Sequence, residues 1–222
     1  MNPAATSKVR PAFTLIELLV MIVIVLVLFM TALPTHRGVK VRAKQVQCAS
    51  NLKQIGLGFW MYQGDHGQFS WQVSTNQGGT EELIPRGGVA DHFSKLATYL
   101  PAPGVFICPT DKERQAGVTK LLGFSNTNLS YFLALDVITN RADSLIAGDR
   151  HLAFNKHPVK PGLFAFTNPA AISWTKTLHS NQDAAALGNL LFTDNHVTTT
   201  KSEGLPDLLK ALTPPTPRLV IP

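Results

Sequence analysis

Residues 13–33 read FTLIELLVMIVIVLVLFMTAL, and this stretch decides how the rest of the chain is interpreted. Its only charged residue is Glu17. As an α-helix this run measures about 31 Å, which matches a hydrocarbon core of roughly 30 Å. The stretch therefore predicts a transmembrane helix over 13–33. A cleaved secretory signal is the alternative, but its apolar run should be shorter and should end at small residues, whereas this one ends at Leu33-Pro34.

Glu17 is the residue of this stretch that calls for an explanation. A carboxylate within an apolar span costs about 2.5–3.5 kcal/mol on insertion scales, and such acids usually have a function. The alternative is that Glu17, close to the start of the run, simply reaches polar surroundings. A cut before Phe13 would create an α-amino group one helical turn away. Staggered copies of the chain could then pair that amine with a neighbour's Glu17.

The residues Ala12-Phe13-Thr14-Leu15-Ile16-Glu17, followed by the apolar stretch, resemble the leader and N-terminal helix of type IV pilins and type II secretion pseudopilins. The resemblance implies cleavage by prepilin peptidase between Ala12 and Phe13, N-methylation of Phe13 and a role for Glu17 in assembly. It also implies a helix kink at Pro34, where many pilins have a proline. One residue departs from the pattern, because Ala12 stands where these leaders usually have glycine.

Four segments of the chain occur in a recognisable order: CASNLKQIGL (48–57), ICPTD (107–111), AGDR (147–150) and LFTDNHV (191–197). They resemble segments of a large bacterial family that joins a prepilin leader to a head described as type II secretion or pseudopilin-like. Asn195 departs from this family, which usually has glycine in the hairpin, and Ser180–Gly188 replaces a glycine-rich segment.

Apolar side chains recur at steps of three or four over residues 35–63, which is typical of an amphipathic helix. After the turn residues 64–67, short apolar runs predict strands with an Asp194-Asn195 hairpin turn. The predicted strands are 104–108, 129–135, 144–148, 162–166, 189–193 and 196–200, and the predicted short helices are 91–100 and 205–212.

Helix first and strands afterwards indicate the α+β class. We predict a long N-terminal helix, with a transmembrane half and an amphipathic half, packed on a C-terminal antiparallel β-sheet head. The predicted divisions are a leader (1–12), a transmembrane helix (13–33), an amphipathic spine helix (34–64), a head (65–212) and a poorly ordered Pro-rich tail (213–222).

The composition limits the chemistry that the chain can perform. With 45% apolar and 15% charged residues the chain is not a disordered one. The net charge of +6 permits an anionic partner, but the basic residues 36–44 lack the features of a nucleic-acid interface, and no nucleic acid is expected. No metalloprotease, Walker or nucleophile-elbow motif is present, so we predict that the protein is not an enzyme and has no cofactor.

Few residues of the chain are candidates for metal binding or redox chemistry. Two cysteines cannot form a four-thiolate zinc site; Cys48 and Cys108 either form one disulfide or are two separate buried thiols. A metal site combining Asp149 with His179, Asp194 and His196 lacks a recognised ligand spacing. The resemblance to secretion pseudopilins, some of which hold calcium in their C-terminal loops, favours calcium over a catalytic metal, with Asp111, Asp149 and Asp194 as candidate ligands.

These observations together predict a structural subunit of a type II secretion pseudopilus or type IV pilus-like filament. Its expected partners are copies of itself, other pilin-like subunits, prepilin peptidase, an inner-membrane assembly platform and the lipid bilayer. The expected location is the bacterial inner membrane, single-pass, with the head in the periplasm, although the basic residues after the span would favour the opposite orientation. The alternative is a membrane-anchored extracytoplasmic enzyme or binding domain that forms no filament.

Overall fold

The computed structural model describes residues 13–32, 36–100, 102–114, 124–139, 141–175, 179, 186–212 and 217–222. The chain divides into two units, Met1–Val39 and Lys40–Pro222.

The first unit contains helix α1, Leu15–Ala32, which has 18 residues. At 1.5 Å per residue this helix is about 27 Å long, shorter than a hydrocarbon core of roughly 30 Å. Among the described residues, none of the helices combines the length and the apolar character needed to cross a membrane. This finding contradicts the transmembrane helix predicted over 13–33, and with it the predicted single-pass inner-membrane location.

Helix α2, His36–His66, supplies the packing surface of the second unit. From Lys40 onward its fully buried side chains start at Cys48, whereas Val46 is 66% exposed. The buried face therefore begins later along the helix than the periodicity predicts. Its large side chains recur at helical spacing, as expected for a helix that packs on one side. They are Leu52, Ile55, Phe59 and Tyr62.

Two antiparallel sheets account for the described strands. One has six strands in the order β5-β9-β1-β2-β7-β8, and the other has the order β4-β3-β6. The strands are β1 Tyr131–Ala134, β2 Leu145–Asp149, β3 Leu152–Phe154, β4 His157–Pro158, β5 Gly162–Ala165, β6 Ile172–Trp174, β7 Leu187–Phe192, β8 Val197–Lys201 and β9 Arg218–Ile221. The further helices are α3 Val89–Ser94, α4 Leu205–Leu212 and the 3-10 turns Ser70–Gln72, Thr75–Gln77, Glu81–Arg86, Lys95–Thr98, Pro103–Phe106, Asn126–Asn128 and Pro169–Ala171.

The four central strands of the six-stranded sheet, β9, β1, β2 and β7, are buried on both faces, whereas the edge strands β5 and β8 are partly exposed. Alternate residues of a strand point to opposite faces, so Leu133 joins the core that contains the α2 side chains, whereas Phe132 joins the other core. The second core also contains Trp174 and the α4 residues Leu205 and Leu209. The fold is thus a mixed helix-and-sheet fold dominated by the large antiparallel sheet, which corrects the predicted fold class in its transmembrane half.

Two local predictions are also corrected. Residues 104–108 do not form a strand, because Pro103–Phe106 is a 3-10 helix that begins with proline. The predicted poorly ordered tail contains β9, which pairs with both β1 and β5. Leu219, Val220 and Ile221 are at most 2% exposed. Burial of this apolar run holds the last strand of the chain in the sheet.

Candidate functional site

Helix α1 presents a continuous apolar surface. Every described side chain from Phe13 to Met30 is exposed. Relative exposures of its large apolar residues range from 49% at Ile24 to 82% at Leu15. Each Å² of apolar surface left in water costs roughly 25 cal/mol, and a helix that is apolar on all sides is normally covered. The surface of α1 is therefore a candidate contact surface.

Glu17 closes the first turn of α1 together with Thr14. Its Oε2 accepts hydrogen bonds from the Thr14 N–H at 2.9 Å and from the Thr14 hydroxyl at 2.8 Å. The Glu17 N–H donates to Thr14 Oγ1 at 3.4 Å. This reciprocal arrangement is a capping box, which satisfies N–H groups that a helix start leaves unpaired. The sequence patterns did not single out Thr14, although T-x-x-E is a known signature of a helix start.

The other residues of the predicted processing site are only partly described. Phe13 is the first described residue and is 76% exposed. Ala12 and Pro34 lie outside the described residues. Phe13 and Glu17 are thus both exposed at the start of α1, and one helical turn separates them along the sequence.

Cys48 and Cys108 form a disulfide between α2 and the segment that follows Pro103–Phe106. Both residues have zero exposure. The bridge spans 60 residues, and a cross-link of this length stabilises a fold by about 4 kcal/mol through its restriction of the unfolded chain. Of the two alternatives that the sequence leaves open for these cysteines, the structure contains the bridged one.

A buried polar group adjoins the disulfide, and we call it the His179 cluster: His179, Asp149, Asn189 and Thr110. His179 Nε2 lies 3.1 Å from Asp149 Oδ2 and 3.8 Å from Cys108 Sγ. His179 Nδ1 lies 3.3 Å from Thr110 Oγ1. Asn189 donates to Asp149 Oδ2 from its backbone N–H at 2.7 Å and from its side-chain amide at 3.0 Å. Within the described chain, Asp149 Oδ1 is buried and has no hydrogen-bond partner.

The sheet explains how this cluster forms. Asp149 ends β2, and Asn189 lies in β7, the neighbouring antiparallel strand. Cys108 and Thr110 belong to the ICPTD segment, which reaches the same place through the disulfide to α2. The sequence singled out Asp149 and His179 as metal candidates but gave no sign of Asn189 or Thr110. Asn189 joins the cluster through the pairing register of β2 and β7, and the sequence patterns do not establish that register.

The acid Asp111 pairs with Arg150 next to this cluster. Arg150 donates from Nε to Asp111 Oδ2 at 2.8 Å and from Nη2 to Asp111 Oδ1 at 3.0 Å, and it also binds Glu113. The Asp111 side chain is fully buried, and 11% of the Arg150 side chain is exposed. Burial raises the pKa of Asp111, but the hydrogen bonds and charge of Arg150 outweigh it and hold the pKa below its usual value.

The structure separates the three calcium candidates into different environments. Asp111 is committed to Arg150, and Asp149 belongs to the His179 cluster. Asp194 lies exposed in the β7–β8 turn, where its carboxylate binds the His196 ring and accepts from the His196 N–H at 3.0 Å. None of the potential ligand groups in the described part of the chain unites these three acids. His179 and Asp149 do meet, whereas His196 pairs with Asp194 instead.

Comparisons with known proteins do not assign the chain to a family. No protein family, curated protein or solved structure matches it. The pilin and pseudopilin resemblances therefore stay predictions, and the function is argued from the residues described above.

Proposed function

We propose that this protein is a structural subunit of a pilin-like filament, related in design to type II secretion pseudopili and type IV pili, and that it is not an enzyme. Prepilin peptidase cleaves it between Ala12 and Phe13, and the processed chains assemble through their α1 helices. The observation that carries the proposal is the exposed apolar surface of α1 with a single carboxylate, Glu17, one turn after Phe13.

Other copies of α1 are the binding partners that best fit the apolar surface of α1. Identical apolar helices packed side by side remove each other's surface from water, at roughly 0.8 kcal/mol for each buried CH₂ group. A charged group enters such packing only if it is paired. Leu15–Ala32 contains no lysine, arginine or histidine that could pair with Glu17. The new α-amino group at Phe13 supplies the missing cation, and N-methylation leaves its charge in place.

The capping geometry leaves room for this pair. Both hydrogen bonds from Thr14 to the carboxylate use Oε2 of Glu17. A neighbour's ammonium group can approach Oε1 without displacing them. The capping box then holds the carboxylate in position, and the charge-assisted hydrogen bond between subunits fixes their stagger.

Co-expression of the full chain with prepilin peptidase tests the proposal, with sedimentation and negative-stain microscopy to measure filaments. We expect Glu17→Gln to raise the critical concentration for assembly at least tenfold, which corresponds to a loss of about 1.4 kcal/mol in subunit binding. The control is Glu203→Gln, which removes a carboxylate from an exposed turn, and which should assemble normally. Thr14→Val removes the hydroxyl from the cap but keeps the backbone hydrogen bond and the charge of Glu17, so it should assemble far better than Glu17→Gln. Normal assembly of Glu17→Gln would overturn the charge-pairing mechanism.

A further inference from the structure

We infer that the chain has a zinc site in its cysteine-reduced state, formed by Cys48, Cys108 and His179 beside the buried carboxylate of Asp149. In the oxidised state the same two sulfur atoms are joined in the disulfide. The inference concerns the second unit of the chain and does not depend on filament assembly.

The positions of the ligand atoms support this site. One ligand atom from each of Cys48, Cys108 and His179 lies within 4.8 Å of the other two, and all three residues are buried. In a tetrahedral zinc site, bond lengths of about 2.3 Å to sulfur and 2.0–2.1 Å to nitrogen place these two ligand atoms about 3.6 Å apart. Cys108 Sγ and His179 Nε2 are 3.8 Å apart. Once the S–S bond is broken, the two sulfur atoms must move to about 3.8 Å apart, the separation of two thiolate ligands on one tetrahedral zinc ion.

Asp149 provides an independent observation that points to a missing cation. Its side chain is fully buried, and Oδ1 lacks a hydrogen-bond partner within the described chain. A buried carboxylate oxygen without a partner is costly, and a bound dication removes that cost. Asp149 Oδ2 is 3.1 Å from His179 Nε2, so the carboxylate lies directly beside the ligand nitrogen. Asp149 is not part of the group of ligand atoms that lie within 4.8 Å of one another, so its carboxylate adjoins the site and balances the charge of the ion.

The donor set selects zinc over calcium. Two thiolates and one imidazole are the ligands that zinc prefers, whereas calcium takes six to eight oxygen ligands. Two thiolates and one carboxylate also outweigh the charge of the dication. The remaining negative charge is met by the Asn189 amide groups, which already donate to Asp149 Oδ2 at 2.7 Å and 3.0 Å.

The conversion between the two states requires a reductant, for which we name a phosphine. The S–S bond breaks, phosphorus is oxidised to the phosphine oxide with an oxygen atom from water, and each sulfur takes one hydrogen of that water. Zinc then displaces the two thiol protons and binds the thiolates. Because both cysteines have zero exposure, the zinc site forms while the reduced chain folds.

The experiment compares the full chain refolded with its disulfide and the full chain refolded in phosphine, each with one equivalent of zinc chloride. After gel filtration we expect one zinc per reduced chain and none per oxidised chain by elemental analysis. Cobalt(II) in place of zinc should give the intense visible absorption of tetrahedral thiolate coordination. Asp149→Asn, which changes the carboxylate beside His179, should weaken zinc binding 10- to 100-fold, and His179→Gln, which removes a ligand, should weaken it further. The control His157→Gln changes an exposed histidine in β4 and should bind zinc normally.

Three results would overturn the inference. They are a reduced chain without zinc, equal zinc content in the oxidised chain, and undiminished binding by His179→Gln. If Asp149→Asn does not fold, the cobalt spectrum of the reduced wild-type chain decides, since a spectrum without thiolate charge transfer overturns the site. Metal content is measured on single chains, so failure here is distinguishable from failure of filament assembly.

Discussion

Asn195 occupies the space that a side chain at Gly56 would need: a Cβ added to Gly56 would lie 2.1 Å from Asn195 Oδ1. Gly56 lies on α2, and Asn195 lies in the β7–β8 turn with a φ of 64°. This left-handed conformation suits asparagine and glycine. The close approach of turn and helix thus depends on the absence of a side chain at Gly56, a residue of the segment CASNLKQIGL.

We predict that Gly56→Ala destabilises the fold by about 1–3 kcal/mol, because the new methyl group overlaps Asn195 and also meets Leu191 Cδ1 at 3.0 Å. Asn195→Gly removes the overlapping amide and retains the turn conformation. Chemical denaturation of both single variants and the double variant measures the coupling, which should exceed about 0.5 kcal/mol.

The matched control is Gly64→Ala in the same helix. A Cβ at Gly64 meets nothing within 4 Å, so alanine should stabilise the helix by up to about 1 kcal/mol. Equal effects of the two alanine substitutions, or strictly additive effects in the double variant, would show that Gly56 and Asn195 do not interact.

The sequence predicted the elements that have a clear hydrophobic period. The side-chain period of three to four residues identified α2, and short apolar runs between turn residues identified β1, β2, β5, β7 and β8. The strands β3, β4 and β6 have only two or three residues each, too few for a period to be recognised. β9 follows a Pro-rich stretch, and its apolar residues become a strand only because β1 and β5 lie on either side of it.

The N-terminal helix and the buried cluster show two further limits. The apolar run over residues 13–33 predicted a helix long enough to span a membrane, whereas the described α1 begins at Leu15 and ends at Ala32. His179, Asp149 and Cys108 meet through strand pairing and a disulfide, over sequence separations of 30 and 71 residues. No local pattern contains information about contacts at such distances.

Loss of the buried Asp111–Arg150 pair should strongly destabilise the fold. Arg150→Gln leaves the fully buried Asp111 carboxylate without its guanidinium partner, at a cost of about 3–5 kcal/mol. The free energy of unfolding in urea measures this loss.

Arg141→Gln serves as the control for this pair. Arg141 also pairs with an aspartate, Asp143, but the side chains are 42% and 50% exposed. Exposed pairs contribute at most about 1 kcal/mol. If the two glutamine variants lose similar amounts of stability, burial of the Asp111 pair is not the source of its contribution.

His92 should make stability depend on pH. Its side chain has zero exposure, and its Nδ1 contacts Thr80 Oγ1 at 2.6 Å. Burial lowers the pKa of His92 from 6.5 to about 4, against a smaller opposing effect of Asp91. Between these two values the unfolded chain binds a proton that the folded chain does not, so stability falls as the pH falls through this range. The loss is on the order of 3 kcal/mol at the acid end.

Urea denaturation from pH 4 to pH 6.5 measures this dependence. We expect His92→Gln to flatten it, whereas His157→Gln, at an exposed position, should leave it unchanged. An unchanged pH dependence in His92→Gln would assign the effect to another group.

The mass of the N-terminal peptide tests the proposed function most directly. The measurement uses protein isolated from cells that contain prepilin peptidase. We expect the first peptide to begin with N-methylated Phe13, so that the charged amine needed by a neighbour's Glu17 is present. A peptide that still begins at Met1 would contradict the proposal, because no subunit could then offer that amine.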